Sequence, residues 1–351
     1  MLETGNKNTF GLDFSDNVIR LVQIAKKGKD LQLKAFSEQR ITPGLIKEGE
    51  ILDESKIVEE IKKLLKNTTG NLSGKNIIAS LPERKSFIKV IEFPQTPGNL
   101  EMKIKKELTN HIPMGLEEMY IDWQELKNPE KNHKIIVSAT PKKIATSYTS
   151  VLEKSGLNPQ ALEIESVAIT RSLINLYKKS DTANIIIDLG YARSTFILAE
   201  HDAVMFITSD TEISGDKMTQ AISEKLMLNP NEAEKAKILF GLDNSAGKGE
   251  VYQVLKPSIQ LLKNRILETI RYYNENFNNP KKISNIIFCG GVAQLKGLIE
   301  CIAIKPKVKI ELQLADPAIN FKSTKVKIPA KKFLSFPTAI GLALRGANYN
   351  D

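Results

Sequence analysis

Two aspartates stand where apolar runs stop. In "GLDFSDNVIRLVQI" Asp13 falls at the end of a short apolar strand over residues 10–14, and in "NIIIDLGYARSTFILAE" Asp188 follows the isoleucines of residues 184–187. The second run has no polar face, so it belongs inside a sheet covered on both sides. An acid at the end of such a strand is costly to bury unless it has a task. Each acid is followed by turn chemistry, "SDN" in one case and "GYARS" in the other, and then by a second strand. Superposed, Asp13 matches Asp188 and Ser15 matches Gly190, a strand–acidic turn–strand unit repeated about 175 positions apart.

Taken singly, either acid is an ordinary turn cap, and "CGG" at 289–291 is an ordinary chain reversal after a strand. Their order suggests more. Two opposed hairpins can clamp a polyphosphate through turn amides, because successive N–H groups form an anion-binding concavity. Small side chains at Ser15, Gly190, Ala192 and Ser194 allow close approach. An aspartate beside each phosphate turn would repel a nucleotide unless a cation bridges them, so the pair predicts Mg2+ held through water. Gly290 and Gly291, at the end of another strand, would let a flat base or ribose lie on the backbone.

The elements that must position these residues follow from periodicity. A helix is expected over 53–68 with Gly70 as its stop, and "KNIIASLP" is a buried strand. Residues 86–160 read as a compact β-α-β-β-α insert punctuated by Pro94, Pro97 and Pro113, its last helix being "KKIATSYTSVLEKSGL". Beyond the second hairpin come two capped helices, a long amphipathic helix from near Val251, a strand with its Gly-Gly turn, and a closing small-residue helix, "FPTAIGLALRG".

Composition narrows the class. The 351 residues allow about two domains. A 41% hydrophobic and 26% charged composition is that of a globular protein. No apolar run approaches the ~18 residues of a membrane span, and "MLETGNKNTF" does not read as a secretion signal, so a cytoplasmic location is expected. Cys289 and Cys301 read as structural thiols of a reducing compartment, and His111, His133 and His201 lack ligand spacing. The net charge of +9 is spread over short groups, "KIKK", "KPKVK" and "KVKIPAKK", without interleaved aromatics. That pattern fits solvated or membrane-facing surfaces and excludes nucleic acid as the expected partner.

With these segments in order, the chain resembles the actin-like ATPases, a superfamily that includes FtsA, heat-shock chaperones and sugar kinases, and within it the PilM family of type IV pilus assembly. The resemblance runs over nearly the whole chain: the two hairpins, "ALEIESVAITRSL" and "TAIGLAL" as connecting segments, and "FCGGVAQLKGL" as the adenosine segment. It implies an α/β, actin-like ATPase fold of two RNase H-like domains around a nucleotide cleft, with a small α+β inserted subdomain. The implied boundaries are 1–85 with 161–182 for the first domain, closed by the 336–351 helix, 86–160 for the insert, and 183–335 for the second domain.

By position, the resemblance implies that Asp13 and Asp188 orient hydrated Mg2+ and that Glu165 positions or deprotonates the attacking water. Ser15, Asp16 and Asn17 would face the phosphates of ATP, with Gly190, Tyr191 and Ala192 opposite. Ser214, Gly215, Asp216 and Lys217 would approach ribose and phosphates, Glu234 and Lys237 would contact adenosine, and Gly290, Gly291 and Val292 would complete the base pocket. Ser15 in place of the common glycine, Arg20 in place of lysine, and bulky Tyr191 and Arg193 depart from the family pattern. These departures make slow Mg-dependent hydrolysis, or binding without turnover, the expectation.

The implied role is a cytoplasmic scaffold in which the N-terminal tail of a PilN-like bitopic membrane protein docks between main domain and insert. The membrane is then reached only indirectly, and other pilus assembly proteins and self-association complete the partner set. The rivals are an FtsA-like cell-division filament protein, disfavoured by the short polar end "ALRGANYND"; a small-molecule kinase of the superfamily; and a nucleotide-free structural scaffold.

Overall fold

The computed structural model describes residues 8–93, 98–112, 114–126, 133–175, 181–200, 203–302, 310–322 and 325–348. Pro94, Pro97, Pro113, His201, the 305–309 lysine group and residues 349–351 lie outside them. The chain opens with β1 (Phe10–Phe14), β2 (Val18–Lys27) and β3 (Asp30–Arg40), a meander continued by the small hairpin β4 (Ile46–Lys47) and β5 (Glu50–Ile51). Helix α1 (Glu54–Lys66) is capped by the Asp53 carboxylate, which accepts from Lys56 N–H at 3.1 Å. It ends at Asn67, so Gly70 does not stop the helix. Gly70, at φ +95°, lies instead in the edge strand β6 (Thr69–Gly70), where a side chain would strike Lys34 O. Strand β7 (Asn76–Leu81) follows.

The next elements are β8 (Phe87–Phe93), α2 (Leu100–Thr109), β9 (Met119–Glu125) and β10 (His133–Pro141), which close a three-stranded antiparallel sheet ordered β8-β10-β9. Ile91, Ile135, Val137 and Ala139 alternate onto one face of it and bury Ile104 and Leu108 of α2. Helix α3 (Lys142–Lys154), grouped with this insert by sequence, packs elsewhere. Its stripe of Ile144, Tyr148, Val151 and Leu152 enters the core of the first sheet beside Phe14, Ile57 and Ile61. Strand β11 (Asn158–Ile164) then joins β7 in parallel, and α4 (Glu165–Leu173) leads out of the first half.

The second half repeats the plan with β12 (Ala183–Leu189), β13 (Ser194–Glu200), β14 (Ala203–Asp210), α5 (Gly215–Leu226), α6 (Pro230–Phe240), the 27-residue α7 (Glu250–Asn276), β15 (Ile283–Cys289), α8 (Leu298–Ile302) and β16 (Glu311–Leu314). Short α9 (Ala330–Phe333) and α10 (Pro337–Asn348) close the chain. The sheet orders are β11-β7-β1-β2-β3-β6 and β14-β13-β12-β15-β16. With the edge strand β6 set aside, both run fifth-fourth-first-second-third in order of appearance, read from opposite edges. In each, the first strand pairs antiparallel with the second and parallel with the fourth. The repeat at the two acids is therefore a repeat of whole sheets.

The halves meet through two helices and through the insert, whose Ile88 and Ile136 pack against the second sheet. Ile169 and Leu173 of α4 pack on the second sheet with Ile186, Ile197 and Ile287, whereas Phe336, Ile340 and Leu344 of the closing segment pack on the first with Val22, Ile24 and Leu33. The two helices cross with Gly341 against the backbone of Ala168.

Candidate functional site

Strands β1 and β12 end side by side in a cleft between the halves, and each delivers its aspartate there. Asp13, 5% exposed, lies opposite Arg20 in the β1–β2 register, and the Arg20 guanidinium comes within 3.9 Å of it. Arg20 is held from behind, donating from Nε to Glu38 at 3.0 Å and lying over the Phe336 ring. Asp188 lies beside Gly290, whose φ of +87° and missing side chain the packing requires. A Cβ there would sit 2.4 Å from Asp188 Oδ1. Glu165, the first residue of α4, enters from a third side and accepts from Arg193 Nη2 at 2.8 Å. Glu83 comes from the turn after β7 and accepts from Ser166 N–H at 2.9 Å, which satisfies an otherwise orphaned amide of the first turn of α4.

Four carboxylates and two guanidiniums thus share a nearly dry volume. Burial pushes Asp13 up to about 6 against the pull of Arg20, and burial pushes Glu165 up to about 8 against the pull of Arg193. Burial also raises Glu83 and Asp188, whereas the charge of Glu165 raises Arg193. Two cations do not neutralise four buried acids, so the cluster favours an added cation. Among the described residues no three His, Cys, Asp or Glu side chains are arranged to grip a metal directly. The acids suit a hydrated cation held through water. Cys289, buried and free, donates weakly to Asp188 at 3.8 Å, and burial holds its thiol protonated, as a structural thiol requires.

The cleft encloses about 170 Å3 and is lined by Asp13, Ser15, Asp16, Asn17, Glu165, Asp188, Gly190, Tyr191, Ala192, Gly290 and Gly291, together with Arg20, Arg193 and Thr338. Several of these have structural commitments. Both the amide and the hydroxyl of Ser15 donate to Val18 O at 2.9 Å, and Asp16 accepts from Gly49 N–H at 3.1 Å, pinning the β4–β5 hairpin. Ser214, Gly215, Asp216, Lys217, Glu234, Lys237 and Val292 lie behind the second hairpin rather than on the cleft wall. Ser214 caps α5, Gly215 N–H donates to Gly190 O at 3.0 Å, and Tyr191 Oη donates to Asp216 at 2.7 Å. Lys237, 4% exposed, donates to Gly215 O at 2.7 Å and pairs with Glu234 at 2.7 Å, and Val292 abuts Gly215. The lysine is therefore a buried strut between α6 and α5.

Sequence reasoning missed Glu83 and the position of Arg193. A signal for Glu83 existed: it stands just past the buried strand β7, as Asp13 and Asp188 stand near the ends of theirs.

A second, larger cavity of about 1200 Å3 lies between the insert and the first half, with Ala203 and Val204 of β14 also on its lining. Tyr120, Ile121 and Trp123 of the edge strand β9 and Ile136 of β10 form one wall, and Thr146, Thr149 and Ser150 of α3 with Ile164 and Val167 form the other. Glu163, 6% exposed, sits at its base, paired with Arg171 at 2.6 Å and also with Arg345. Lys154, on the rim, is held by Glu54 at 2.6 Å.

Comparison with known proteins places the chain in a family. The family model described as type IV pilus assembly protein PilM matches residues 11–347. A solved PilM–PilN type IV pilus biogenesis complex has a chain that superposes with a TM-score of 0.81 at 20% identity, covering 97% of this chain and 99% of that one. The ethanolamine utilization protein EutJ of Carboxydothermus hydrogenoformans gives 0.57 at 17% identity, covering 95% and 88%. An MreB of Spiroplasma citri bound to AMPPNP gives 0.52 at 11% identity, covering 96% and 95%. These likenesses establish the actin-like fold. No curated protein matches the chain by sequence.

Proposed function

The chain belongs to the PilM family of type IV pilus assembly proteins, and from that premise we propose that it is an ATP-responsive assembly scaffold that captures the N-terminal tail of a PilN-like bitopic membrane protein. The observation that carries the tail-binding half is the 1200 Å3 groove, large enough for a peptide segment and walled by aromatic and aliphatic side chains with fixed charges at base and rim. Capture of such a tail would hold the protein at the inner membrane through its partner. Among the described residues no helix is long and apolar enough to cross a membrane. In this reading residues 1–85 and 161–182 with 336–351 are one actin-like domain, 183–335 the other and 86–160 the insert. The packing of α3 on the first sheet supports assigning that helix to the first domain.

The chain's one tryptophan, Trp123, lines the groove and gives the test. A synthetic peptide of the partner's first cytoplasmic residues should change its emission saturably, and Val167→Asp, which puts a charge in the opposite wall, should abolish that change. Equal affinity in the variant would remove the groove as the docking site.

The nucleotide half of the proposal rests on the cleft chemistry. Asp13 and Asp188 would hold a hydrated Mg2+ that neutralises phosphate charge, and Glu165 would orient a water. Nucleotide sites of about 300–1,000 Å3 exceed the present 170 Å3 cleft, so binding requires the halves to part about the α4–α10 crossing. Thermal unfolding with MgATP tests this. At about 100 times the dissociation constant ATP should add roughly 2.7 kcal/mol to the wild type, and nothing to Asp188→Ala. The Arg193–Glu165 ion pair favours a second reading, a scaffold whose cleft folds without nucleotide. Absence of any MgATP shift in the wild type would select it.

A further inference from the structure

The side chain of Arg193 is 17% exposed and sits in a volume otherwise dominated by acid. It bonds Glu165 at 2.8 Å, and the charges of Glu83, Asp188 and Asp16 also act on it. It reaches this position from the second hairpin, two residues beyond Tyr191, because Gly190 N–H closes the turn onto Arg193 O at 3.0 Å and a side chain at Gly190 would collide with that oxygen at 2.7 Å. The next residue, Ser194, is anchored by its hydroxyl to Ile213 O. The turn is therefore fastened on both sides of Arg193, and its side chain is directed across the gap onto the first residue of α4, which belongs to the connection between the halves. The cation at this point both neutralises the acids and ties the second hairpin to that connection.

We propose that Arg193 is the built-in counter-ion of the cleft: its guanidinium, bonded to Glu165 in the free protein, supplies the positive charge that a hydrated divalent cation near Asp13 and Asp188 would supply in the nucleotide-bound one, and it must swing out for that cation to enter. The proposal rests on reading the cleft as a cation-dependent nucleotide site. It adds that the chain carries its own competitor for the metal. Free divalent cation is refused without nucleotide, because entry of the ion alone would leave a buried arginine without its partner. A nucleotide supplies the new anionic partner, its phosphates, to which a displaced guanidinium can turn. Cation and nucleotide are thereby required together, and the Arg193–Glu165 link between hairpin and α4 breaks when they arrive.

The test uses Mn2+ as the probe, titrated without nucleotide into the whole protein and followed by the loss of its free paramagnetic resonance signal. Arg193→Ala and Arg193→Gln should each bind one Mn2+ at least about tenfold more tightly than wild type. Arg193→Lys, which keeps a cation on the turn, should behave like wild type. Adding Asp188→Ala to Arg193→Ala should remove the new site. Identical isotherms for wild type and the neutral variants would overturn the proposal, as would a new site that survives loss of Asp188. The pair of neutral variants guards against one failing to fold. Because no nucleotide is present, the outcome is independent of whether MgATP shifts the melting of the wild type: a failed Mn2+ test with an intact MgATP shift refutes the counter-ion role alone.

Discussion

The crossing of α4, which packs on the second sheet, and α10, which packs on the first, is a close backbone contact at the junction of the halves, and Gly341→Ala tests whether it sets their spacing. A Cβ on Gly341 would stand 1.8 Å from Ala168 O, 2.4 Å from Ala168 C and 2.9 Å from its Cα. All three are backbone atoms inside a helix, so no rotamer change relieves the clash. Restoring a normal contact requires the helices to part by roughly 1.5 Å. On its other side α10 cannot retreat freely, because the segment is wedged against the first sheet, where a Cβ on Gly11 would meet Ala339 O at 2.4 Å and Ala343 N at 2.6 Å. Overpacking of this kind costs about 1–3 kcal/mol or more, against which replacing a helical glycine returns at most about 1 kcal/mol. Gly341→Ala should therefore lower the thermal midpoint and speed amide hydrogen exchange in both helices. Gly98→Ala, at a glycine with nothing within 4 Å of the added methyl, serves as control and should be neutral. An unchanged midpoint and exchange pattern in Gly341→Ala would refute the claim that the two helices are in direct backbone contact.

The acid cluster gives a pH signature in the absence of ligand. Asp13 rises to about 6 and Glu165 to about 8 in the folded state, so the folded protein holds protons that the unfolded chain releases near about pH 4. Their contribution to stability is complete below about pH 4 and is lost as pH rises through 6 and then 8, at no more than about 1.4 kcal/mol per pH unit for each proton. Glu165→Gln should flatten the upper part of that decline in midpoint-against-pH curves, and an unchanged slope would show that Glu165 does not titrate there. Asn320, 3% exposed, donates to the carbonyls of Arg171, Ser172 and Ile174 and so finishes the C-terminus of α4. Asn320→Ala should cost about 1–3 kcal/mol in denaturant unfolding, and a loss of only a few tenths would mean that water replaces the amide. Lys237→Met, which removes the buried ammonium's bonds to Gly215 O and Thr219 Oγ1 and its pairing with Glu234, should destabilise by about 1.5–3 kcal/mol and loosen the start of α5 as read by hydrogen exchange.

Much of the fold was legible because its signals are local. Two isoleucine-rich or apolar strands ending in aspartate, turn residues after each, and glycines at 190 and 290 show in short windows, since side-chain period and backbone freedom are properties of a few consecutive residues. The repeat of the acidic hairpin was enough to expect two similar halves, and the cleft does bring Asp13, Asp188 and Glu165 together. Partner choice was not legible in the same way. Helix α3 has an apolar stripe that fits either the insert or the first sheet, and only the packed structure assigns it to the latter. Gly70 looks like a helix stop in sequence and is an edge-strand glycine in three dimensions.

The amino-acid sequence by itself determined the strands, the acids at their ends and the actin-like order of segments, because hydrophobic pattern and turn chemistry act along the chain. The tertiary structure alone decided that Arg193 meets Glu165 across 28 positions, that Glu83 joins the cluster, that Lys237 is a buried strut, and that Trp123 faces a groove. Those facts depend on which surfaces are brought together and how far water is excluded between them. Desolvation and ion pairing act across space, so residues far apart in sequence acquire their chemistry only when the halves are assembled.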